Sequence, residues 1–534
     1  MTPSCANDPH AAGRKLDLGS EVTRSTNRSG RSRSLRLSLI LALGSGLLFS
    51  TLFPPLSWHL LAWVCLVPLL VATSLARRPA GGAICGLVFG FTVAVGIYWW
   101  FPNTLSGFFG LPSLVSWVLG LLAGLVVAAP YVGLSAALSW LMTRRSVSPL
   151  LVVAGWVAAE LLTVHGLLPN AMNLIAYTQT RSGVVQLADL AGPYGVAVPI
   201  VAVNAVVAGL VAPRLRPRYF SRWLAGVLLL VVGTFAYGAW RRTESFGEGP
   251  ELDVALVQGS IPELVLADGE RRSENVDVYV KLTRGLARET PDLVLWPEFA
   301  LVEPLSHPTA QPVFELSEIL ATDLLLGAPH LEQKTNSEVR YNSVFLLRSG
   351  AVVGRYDKGR LLPFAEMRVL GRTRGENWGL YSPGESVRVV STRPGTLGVL
   401  ICSEVAHPAV ARQMTRLGAV LLANPSNDFW LGHLAPARLQ LQIAALRAIE
   451  NRRYLARPTT TGFTAILDPH GHTKAELGIG DVTVLRGSLR PSTAVTGYHR
   501  FGELPALAFS FLFGMALLAA RRRRAHPQPS HPKV

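Results

Sequence analysis

A series of long apolar runs restricts the fold of this chain more than any other feature of its sequence. A helix needs about 20 apolar residues to cross the hydrocarbon core of a lipid bilayer. Eight runs of roughly this length occur, and they cover residues 37–53, 57–76, 82–101, 113–142, 148–165, 193–212, 222–240 and 504–520. With 49% hydrophobic and 16% charged residues, the chain is also more apolar than an ordinary soluble protein. These features predict a membrane α-helical bundle of eight spans.

Arginine residues between the apolar runs indicate how the spans are oriented. Arg77 and Arg78 follow the second run and Arg144 and Arg145 follow the fourth, whereas the loops after the first and third runs contain no Lys or Arg. Since positive residues are enriched in cytoplasmic loops, we expect both termini to be cytoplasmic and the large segment after the seventh run to lie outside. Arg241, directly before that segment, is an exception to the rule.

The net charge of +16 does not indicate a nucleic-acid partner. The basic residues form short groups beside apolar runs, such as 214–222 and 521–524, rather than one face of a soluble domain. Because no nucleic-acid-binding motif accompanies them, we expect that the protein does not bind nucleic acid.

Changes in composition divide the chain into five segments. Residues 245–500 alternate between strand-like and helix-like patterns, which indicates one large α/β domain. The predicted order is a disordered basic cytoplasmic tail (1–34), a bundle of seven spans (35–244), the α/β domain (245–500), a last span with an arginine cluster (501–524) and a cytoplasmic tail (525–534). Within the α/β domain, helices are predicted at 272–288, 311–321, 408–417 and 436–451, and strands at 292–296, 324–329, 419–424 and 464–468.

Cys402 is the residue around which the chemistry of the α/β domain is predicted. It ends an apolar strand that starts at Thr396, and a helix is expected to begin near Pro408. A strand-to-helix turn exposes a nucleophile above a sheet and points backbone N–H groups at the reacting atom. Cys402 is the only cysteine between residues 245 and 500, so it cannot form a disulfide within the domain. The alternative is a buried core cysteine.

Two charged residues follow other strands of the same domain. Glu298 ends the run that begins at Asp292, and Lys358 lies after a predicted hairpin over 341–356. Taken singly, each is also consistent with an ordinary solvated side chain. No Cys or His pair has metal-ligand spacing near these residues, and no glycine-rich phosphate loop is present. We therefore expect neither a metal nor a cofactor.

Eight short motifs together resemble the nitrilase superfamily and, within it, the apolipoprotein N-acyltransferases. They are Val257–Pro262 (VQGSIP), Leu295–Glu298 (LWPE), Tyr341–Ser343 (YNS), Tyr356–Lys358 (YDK), Leu362–Glu366 (LPFAE), Ile401–Glu404 (ICSE), Asn424–Asp428 (NPSND) and Arg447–Asn451 (RAIEN). The resemblance covers about residues 35–520, because the apolar runs match as well. It implies that the α/β domain is a nitrilase-like αββα four-layer sandwich.

The resemblance also implies a Glu-Lys-Cys triad. Cys402 would be the nucleophile, Glu298 the general base, and Lys358 the cation beside the developing oxyanion, with the backbone N–H of Ser403 as a second donor. Glu366 would orient Lys358 and the substrate, unless it is a solvated loop residue. Glu404 is a further supporting candidate. Asn342 and Asn427, together with Asn424, Ser426 and Asp428, would shape the pocket rim, and ordinary turn chemistry is the alternative for them.

The implied reaction moves an acyl chain from a membrane phospholipid, through a thioester on Cys402, to the N-terminal α-amine of a diacylglyceryl-cysteine lipoprotein. The implied location is the bacterial inner membrane, with the catalytic domain on the periplasmic side of a multi-pass protein, and we expect a monomer. Many relatives carry an aromatic residue at the position of Ser403 and a Trp at the position of Ala267, so selectivity is expected to differ. Residues 361–370, 376–381 and 429–431 are candidates for an apolar cover, with core packing as the alternative.

Two other classes of function remain open from the sequence. A membrane-tethered nitrilase-like amidase or hydrolase would use the same triad but release its product to water. A transporter or assembly scaffold would account for eight spans without Cys402. Glu160 is the one carboxylate expected deep within the spans, where a transporter usually needs several ionisable groups.

Overall fold

The computed structural model describes residues 18–76, 78–144, 147–166, 171–261, 272–335, 337–362, 366 and 381–525. Ala267 and most of the cover candidates at 361–370 and 376–381 lie outside the described residues.

Within the described ranges, eight α-helices precede the α/β domain. They are α1 (Leu18–Ser50), α2 (Val67–Leu75), α3 (Pro79–Tyr98), α4 (Phe101–Gly107), α5 (Ser113–Met142), α6 (Pro149–His165), α7 (Ala188–Val211) and α8 (Phe220–Thr243). Short 3-10 helices connect them at His59–Trp63, Ile175–Gln179, Gly183–Leu187 and Pro213–Leu215. A proline stands at the first or second position of α2, α3, α4 and α6, where its missing N–H costs no intrahelical hydrogen bond.

The start of α1 differs from the expectation for residues 1–34. The helix begins at Leu18, so residues 18–34 are helical rather than disordered, while residues 1–17 lie outside the described part. Once an apolar helix is nucleated, each added residue gains a hydrogen bond at little entropic cost. The polar segment therefore continues the helix of the first apolar run toward the N-terminus.

Five helices among the described residues are long and apolar enough to cross a membrane. They are Pro79–Tyr98, Ser113–Met142, Gly183–Val211, Phe220–Thr243 and Leu504–Arg522. The other three predicted spans correspond to shorter apolar helices at Ser34–Ser50, His59–Leu75 and Pro149–His165. The structure thus supports a multi-pass membrane protein but not, by helix length alone, the predicted count of eight.

A stripe of glycines lets α3 and α5 pack with their backbones close together. A Cβ atom on Gly82, Gly86 or Gly90 would lie 2.2–2.6 Å from backbone atoms of α5. The three glycines recur every four residues and so share one face of α3. Small residues at this spacing are a common way to join helices inside a membrane.

The described part of the α/β domain forms two six-stranded sheets. Its strands are β1 (Leu252–Gln258), β2 (Leu293–Leu295), β3 (Asp323–Lys334), β4 (Ser337–Arg348), β5 (Ala351–Asp357), β6 (Val390–Thr392), β7 (Gly395–Val399), β8 (Leu421–Ala423), β9 (Leu455–Arg457), β10 (Ala465–Leu467), β11 (Thr473–Glu476) and β12 (Thr483–Leu489). The sheet orders are β12-β1-β2-β3-β4-β5 and β11-β10-β9-β8-β7-β6. In each sheet the three central strands are parallel and the outer strands are antiparallel.

Six more helices follow among the described residues. They are α9 (Arg272–Arg284), α10 (Gln311–Leu320), α11 (Pro408–Arg416), α12 (Leu434–Asn451), α13 (Gly497–Phe501) and α14 (Leu504–Ala525). Each differs by no more than a few residues from the predicted helix or span where one was predicted.

Alternate residues of each central strand face different layers. Leu256 and Leu295 belong to the apolar core between the sheets, whereas Val257, Val294 and Trp296 pack with side chains of α9 and α10 on the outer face. On the second sheet, α11 and α12 cover the outer face. The resulting order is helices, sheet, sheet, helices, which is the predicted αββα sandwich.

Candidate active site

Cys402 lies on the predicted turn at the end of β7. The strand ends at Val399, and a short 3-10 helix over Cys402–Ala406 leads into α11. Cys402 has φ +48°, in the left-handed region that non-glycine residues seldom occupy. Its N–H donates to the carbonyl of Pro425 at 2.8 Å, and its Sγ lies 3.9 Å from the carbonyl of Asn427. The thiol is thus held on a strained turn, as is common at functional sites.

Glu298 is buried at the end of the neighbouring sheet. It follows β2 by three residues, and its side chain is 3% exposed. Glu298 Oε1 accepts hydrogen bonds from Lys358 Nζ at 3.2 Å and Asn342 Nδ2 at 2.8 Å, and Oε2 accepts one from the N–H of Asn427 at 2.8 Å. Three donors on different elements therefore fix the carboxylate.

Lys358 lies between two carboxylates. It follows β5, and its Nζ donates to Glu366 Oε1 at 2.9 Å as well as to Glu298. Asn342 Nδ2 donates to both carboxylates, at 2.6 Å to Glu366 and 2.8 Å to Glu298. A buried ammonium is stable only when it is paired and hydrogen-bonded. Here the two carboxylates provide that pairing, and the Asn342 amide holds them together.

The charges of this cluster affect the two reactive groups differently. Although burial alone would lower the pKa of Lys358, the Glu298 and Glu366 carboxylates raise it well above its usual value. Burial raises the pKa of the Cys402 thiol; the nearby Glu298 charge adds to this shift, and Lys358 opposes it. The lysine is therefore charged and the resting thiol protonated, so nucleophilic attack requires a base. Glu298, whose charge acts on the Cys402 thiol, is the candidate for that base.

The Glu404 carboxylate connects the residues around Lys358 with the turn that carries Cys402 through hydrogen bonds. Its Oε1 accepts hydrogen bonds from the N–H groups of Gly359 at 2.9 Å and Arg360 at 3.1 Å and from the hydroxyl of Tyr356 at 2.9 Å. Its Oε2 accepts one from the N–H of Ile401 at 2.9 Å. Burial raises the pKa of Glu404 to about 7. Glu404 thus joins the residues that flank Lys358 and Cys402.

The remaining predicted residues also surround the site. Ser403 directly follows Cys402 and is partly exposed. Asn427 is buried, and its Oδ1 accepts hydrogen bonds from Thr460 Oγ1 at 2.7 Å and from the N–H of Phe429 at 3.1 Å. The structure therefore brings the residues predicted for the site together, on strands and loops of both sheets.

Arg457 is a supporting residue that the sequence did not reveal. It is fully buried and donates to both carboxylate oxygens of Asp428 at 2.9 Å and to Ser426 Oγ at 2.9 Å. It also contacts the side-chain oxygen of Asn424. This arginine fixes the loop that supplies the Asn427 N–H to Glu298. Its position at the end of β9, next to a proline, was the only available signal.

The loop after Asp428 contacts the membrane helices. Phe429–Leu431 form a 3-10 turn, and the Trp430 ring packs edge-on against Trp100 with centroids 6.1 Å apart. The carbonyl of Trp430 accepts a hydrogen bond from Thr104 Oγ1 of α4 at 3.2 Å. This cover candidate therefore lies against the bundle.

Within the part of the chain that the structure describes, no group of three or more His, Cys, Asp or Glu side chains is arranged to hold a metal ion.

Two family models match successive parts of the chain. The model described as apolipoprotein N-acyltransferase N-terminal domain matches residues 45–206, and carbon-nitrogen hydrolase matches residues 253–494. The first covers α2 to α6 and most of α7, and the second covers both sheets. The two matches therefore correspond to the helical bundle and to the sandwich.

Several curated proteins are similar over nearly their whole length. The apolipoprotein N-acyltransferase of Geobacter metallireducens is 31% identical, over 92% of this chain and 97% of its own. Those of Gloeobacter violaceus and Methylococcus capsulatus are 29% and 27% identical, over 93% and 91% of this chain and 97% of theirs. These alignments include both the bundle and the sandwich.

Solved structures are less similar to this chain. The C. elegans NitFhit protein is 18% identical with a TM-score of 0.38, covering 53% of this chain and 67% of its own. A mutant amidase of the nitrilase superfamily from Nesterenkonia is 18% identical with a TM-score of 0.35, covering 46% of this chain and 94% of its own. The family assignment therefore depends on the curated relatives and the family models.

Proposed function

This chain belongs to the apolipoprotein N-acyltransferase family, and from that premise we propose that Cys402 carries the acyl group through a covalent thioester. The protein is an acyltransferase that N-acylates lipoproteins. Its acyl donor in this proposal is a membrane phospholipid, and its acceptor is the N-terminal α-amine of a diacylglyceryl-cysteine.

The observation that supports this mechanism best is the buried ammonium of Lys358 between Glu298 and Glu366, beside a thiol on a strained turn. A carboxylate, an ammonium and a thiol in one dry cleft supply a base, an oxyanion-stabilising cation and a nucleophile. Burial strengthens each of these electrostatic interactions, because the local dielectric is low.

In the first half-reaction, Glu298 removes the thiol proton as Cys402 Sγ attacks an ester carbonyl carbon of the phospholipid. The carbonyl oxygen gains negative charge, and Lys358 Nζ and the N–H of Ser403 stabilise it. Collapse of this intermediate breaks the ester C–O bond, and the alkoxide of the lysophospholipid takes the proton back from Glu298. The products are an acyl thioester on Cys402 and a lysophospholipid.

In the second half-reaction, the α-amine of the lipoprotein attacks the thioester carbonyl. Glu298 accepts the proton that the amine loses, and the C–S bond breaks as the amide forms. The proton then returns to the Cys402 sulfur, so the enzyme is regenerated. Water must be excluded between the two steps, since it would hydrolyse the thioester.

The lipid nature of both substrates accounts for the fused membrane bundle. Withdrawing an acyl chain from the bilayer costs about 0.8 kcal/mol per methylene, so the thiol has to reach the ester at the membrane surface. We propose eight spans in the bacterial inner membrane, counting the three shorter apolar helices, with both termini cytoplasmic and the sandwich in the periplasm. Arginines at 78, 144 and 214–222 lie at one end of the helices and the sandwich at the other, which supports this orientation.

A hydrolase is the competing activity, because the carbon-nitrogen hydrolase model covers residues 253–494. It differs in the fate of the thioester, which water rather than an amine would remove. Supplying phospholipid with and without a diacylglyceryl lipopeptide distinguishes the two reactions. Amide-linked lipopeptide supports transfer, and free fatty acid as the sole product supports hydrolysis.

The thioester is tested by intact-protein and peptide mass spectrometry after incubation with phospholipid alone. We expect a mass increase of one acyl group on the peptide that contains Cys402, and none in Cys402→Ala. Lys358→Met should also lose the adduct, because two buried carboxylates would then repel each other and the oxyanion would lose its cation. Lys281→Met, at an exposed position of α9, is the matched control and should acylate normally. Adduct formation on Cys402→Ala would refute the proposal.

A further inference from the structure

Arg241, the exception to the expected arginine distribution, is paired with a buried carboxylate. It lies in the last turn of α8, and its Nε donates to Asp189 Oδ2 at 2.7 Å. Asp189 stands in the first turn of α7 and is 1% exposed. The hydroxyl of Tyr237 donates to Asp189 Oδ1 at 2.7 Å. The membrane helices thus present a fixed carboxylate to the sandwich.

An arginine of the sandwich uses the same carboxylate. Arg452, the residue after α12, is fully buried and donates to Asp189 Oδ2 from Nη2 at 2.7 Å and from Nε at 3.1 Å. Its Nη1 donates to Gln186 Oε1 at 2.6 Å and to the carbonyl of Pro469 at 3.0 Å. Arg452 has φ +49°, so its backbone is held in a strained conformation. We call Gln186, Asp189, Tyr237, Arg241 and Arg452 the Asp189 junction.

The junction also contains an aromatic ring from the segment between the two domains. The guanidinium groups of Arg241 and Arg452 each lie 4.7 Å from the centre of the Phe246 ring. Both guanidinium groups can lie in this junction because the Asp189 carboxylate and the Phe246 ring attract each of them. Removing Asp189 from this buried network would leave Arg452 without its carboxylate partner, so the burial of Arg452 depends on the membrane helices.

The other end of α12 is fixed to the bundle as well. His433, directly before α12, packs on Trp99 with ring centres 4.6 Å apart, and Trp430 packs on Trp100. Between these two attachments α12 spans about 27 Å at 1.5 Å per residue. The 3-10 turn that carries Cys402 packs directly on α12. The position of the thiol above the bundle therefore depends on how this helix is held.

We propose that Asp189 and Arg452 are positioning residues that set the location of Cys402 over the membrane and so control its access to acyl donors within the bilayer. Neither residue touches the reacting atoms, and the chemistry of the thiol does not depend on them. This inference rests on the proposed function, because it assumes that the donor is a lipid.

The test compares a membrane-bound donor with a soluble one. Asp189→Asn keeps the size of the side chain but removes the charge that two arginines share. We expect acyl transfer from phospholipid in nanodiscs to fall by roughly tenfold or more, because a buried ion pair that loses one partner is strongly destabilised and α12 loses its attachment to the bundle. Acylation of Cys402 by p-nitrophenyl acetate, which releases p-nitrophenolate as the thioester forms, should stay within about twofold, because no membrane is involved.

Arg242→Gln is the matched control, since Arg242 is the next residue and is exposed; it should leave both rates unchanged. Arg452→Lys keeps the charge but loses the two-pronged contact with Asp189, so it should show the same selective loss to a smaller degree. This second variant keeps the inference testable if Asp189→Asn does not fold.

Hydrogen exchange provides a readout that is independent of lipid turnover. Amide exchange over Leu434–Asn451 should increase in Asp189→Asn and not in Arg242→Gln. Equal loss on both donors, or no loss on either, would overturn the inference. A wild-type protein that transfers no acyl group from phospholipid would instead contradict the proposed function. The acetate reaction and the hydrogen-exchange data would in that case still test whether Asp189 holds α12 in place.

Discussion

The side-chain amide of Asn342 connects two carboxylates of the candidate site. Its single Nδ2 atom donates to Glu298 and to Glu366, the two carboxylates on either side of Lys358. Asn342 and Lys358 thereby hold the Glu298 carboxylate in a fixed position, from which it acts as the base in the proposed cycle.

The buried carboxylate of Glu404 makes stability depend on pH. Burial raises its pKa in the folded state to about 7, whereas an unfolded chain releases this proton near pH 4.3. Between these values the folded state binds more protons than the unfolded state, so the stabilising effect of that proton is lost as the pH rises through about 7. We expect the free energy of unfolding to fall over this range and then to level off.

Glu404→Gln removes the titrating group and should flatten this part of the curve. Denaturant unfolding of the detergent-solubilised protein at several pH values between 4.5 and 8.5 measures the effect. Asp481→Asn, at an exposed turn, serves as the control and should keep the wild-type slope. If the free energy of unfolding depended on pH in the same way in the wild type and in Glu404→Gln, the expectation would be contradicted.

At the scale of the elements, the contact between α3 and α5 determines how compactly the bundle is built. Tyr131 O lies 2.2 Å from where a Cβ on Gly86 would be. No side chain larger than hydrogen fits without moving one helix. The glycine face of α3 is therefore a requirement of the fold rather than a consequence of composition.

We predict that Gly86→Leu destabilises the bundle by about 1–3 kcal/mol or more, the usual cost of overpacking a tight contact. Gly133→Leu is the matched control, because a Cβ on Gly133 meets nothing within 4 Å. Thermal unfolding in detergent measures both. If the two variants lowered the unfolding temperature equally, helix propensity rather than the α3–α5 contact would be responsible.

At the scale of the whole molecule, the arginine-rich end of the bundle and the sandwich lie at opposite ends of α8. Arg218 precedes the helix, and β1 begins at Leu252, shortly after its end. If α8 spans the membrane, these two ends are on different sides. The proposed orientation puts the arginine end in the cytoplasm.

Cysteine labelling tests this orientation. In a background with the native cysteines replaced, a cysteine at Ser306 of the sandwich should react with an impermeant maleimide on intact spheroplasts, since Ser306 is exposed. A cysteine at Arg218, also exposed, should react only after the membrane is permeabilised. The reverse pattern would overturn the orientation.

Much of this architecture could be predicted from local patterns. The helix predicted over 311–321 is found at Gln311–Leu320, and the strand predicted over 292–296 is found at Leu293–Leu295. Cys402 lies on the expected turn because an apolar run and a proline mark its two ends. Such features depend on neighbouring residues, which a single sequence displays directly.

Contacts between distant residues could not be predicted in this way. Arg457, at the end of β9, reaches Asp428 in the loop after the neighbouring β8, and Arg452 reaches Asp189 from another domain. Asn342 was expected at the rim and instead bridges Glu298 and Glu366. No periodicity connects such residues, so only the folded chain shows that they meet.

The membrane half of the Asp189 junction has a consequence for biosynthesis. Asp189, Tyr237 and Arg241 all precede the sandwich in the chain, so the ribosome produces them before Arg452. Domains tend to fold in the order of synthesis. The helices can therefore offer these three residues to the sandwich as it emerges, whereas α14 is synthesised only after the sandwich.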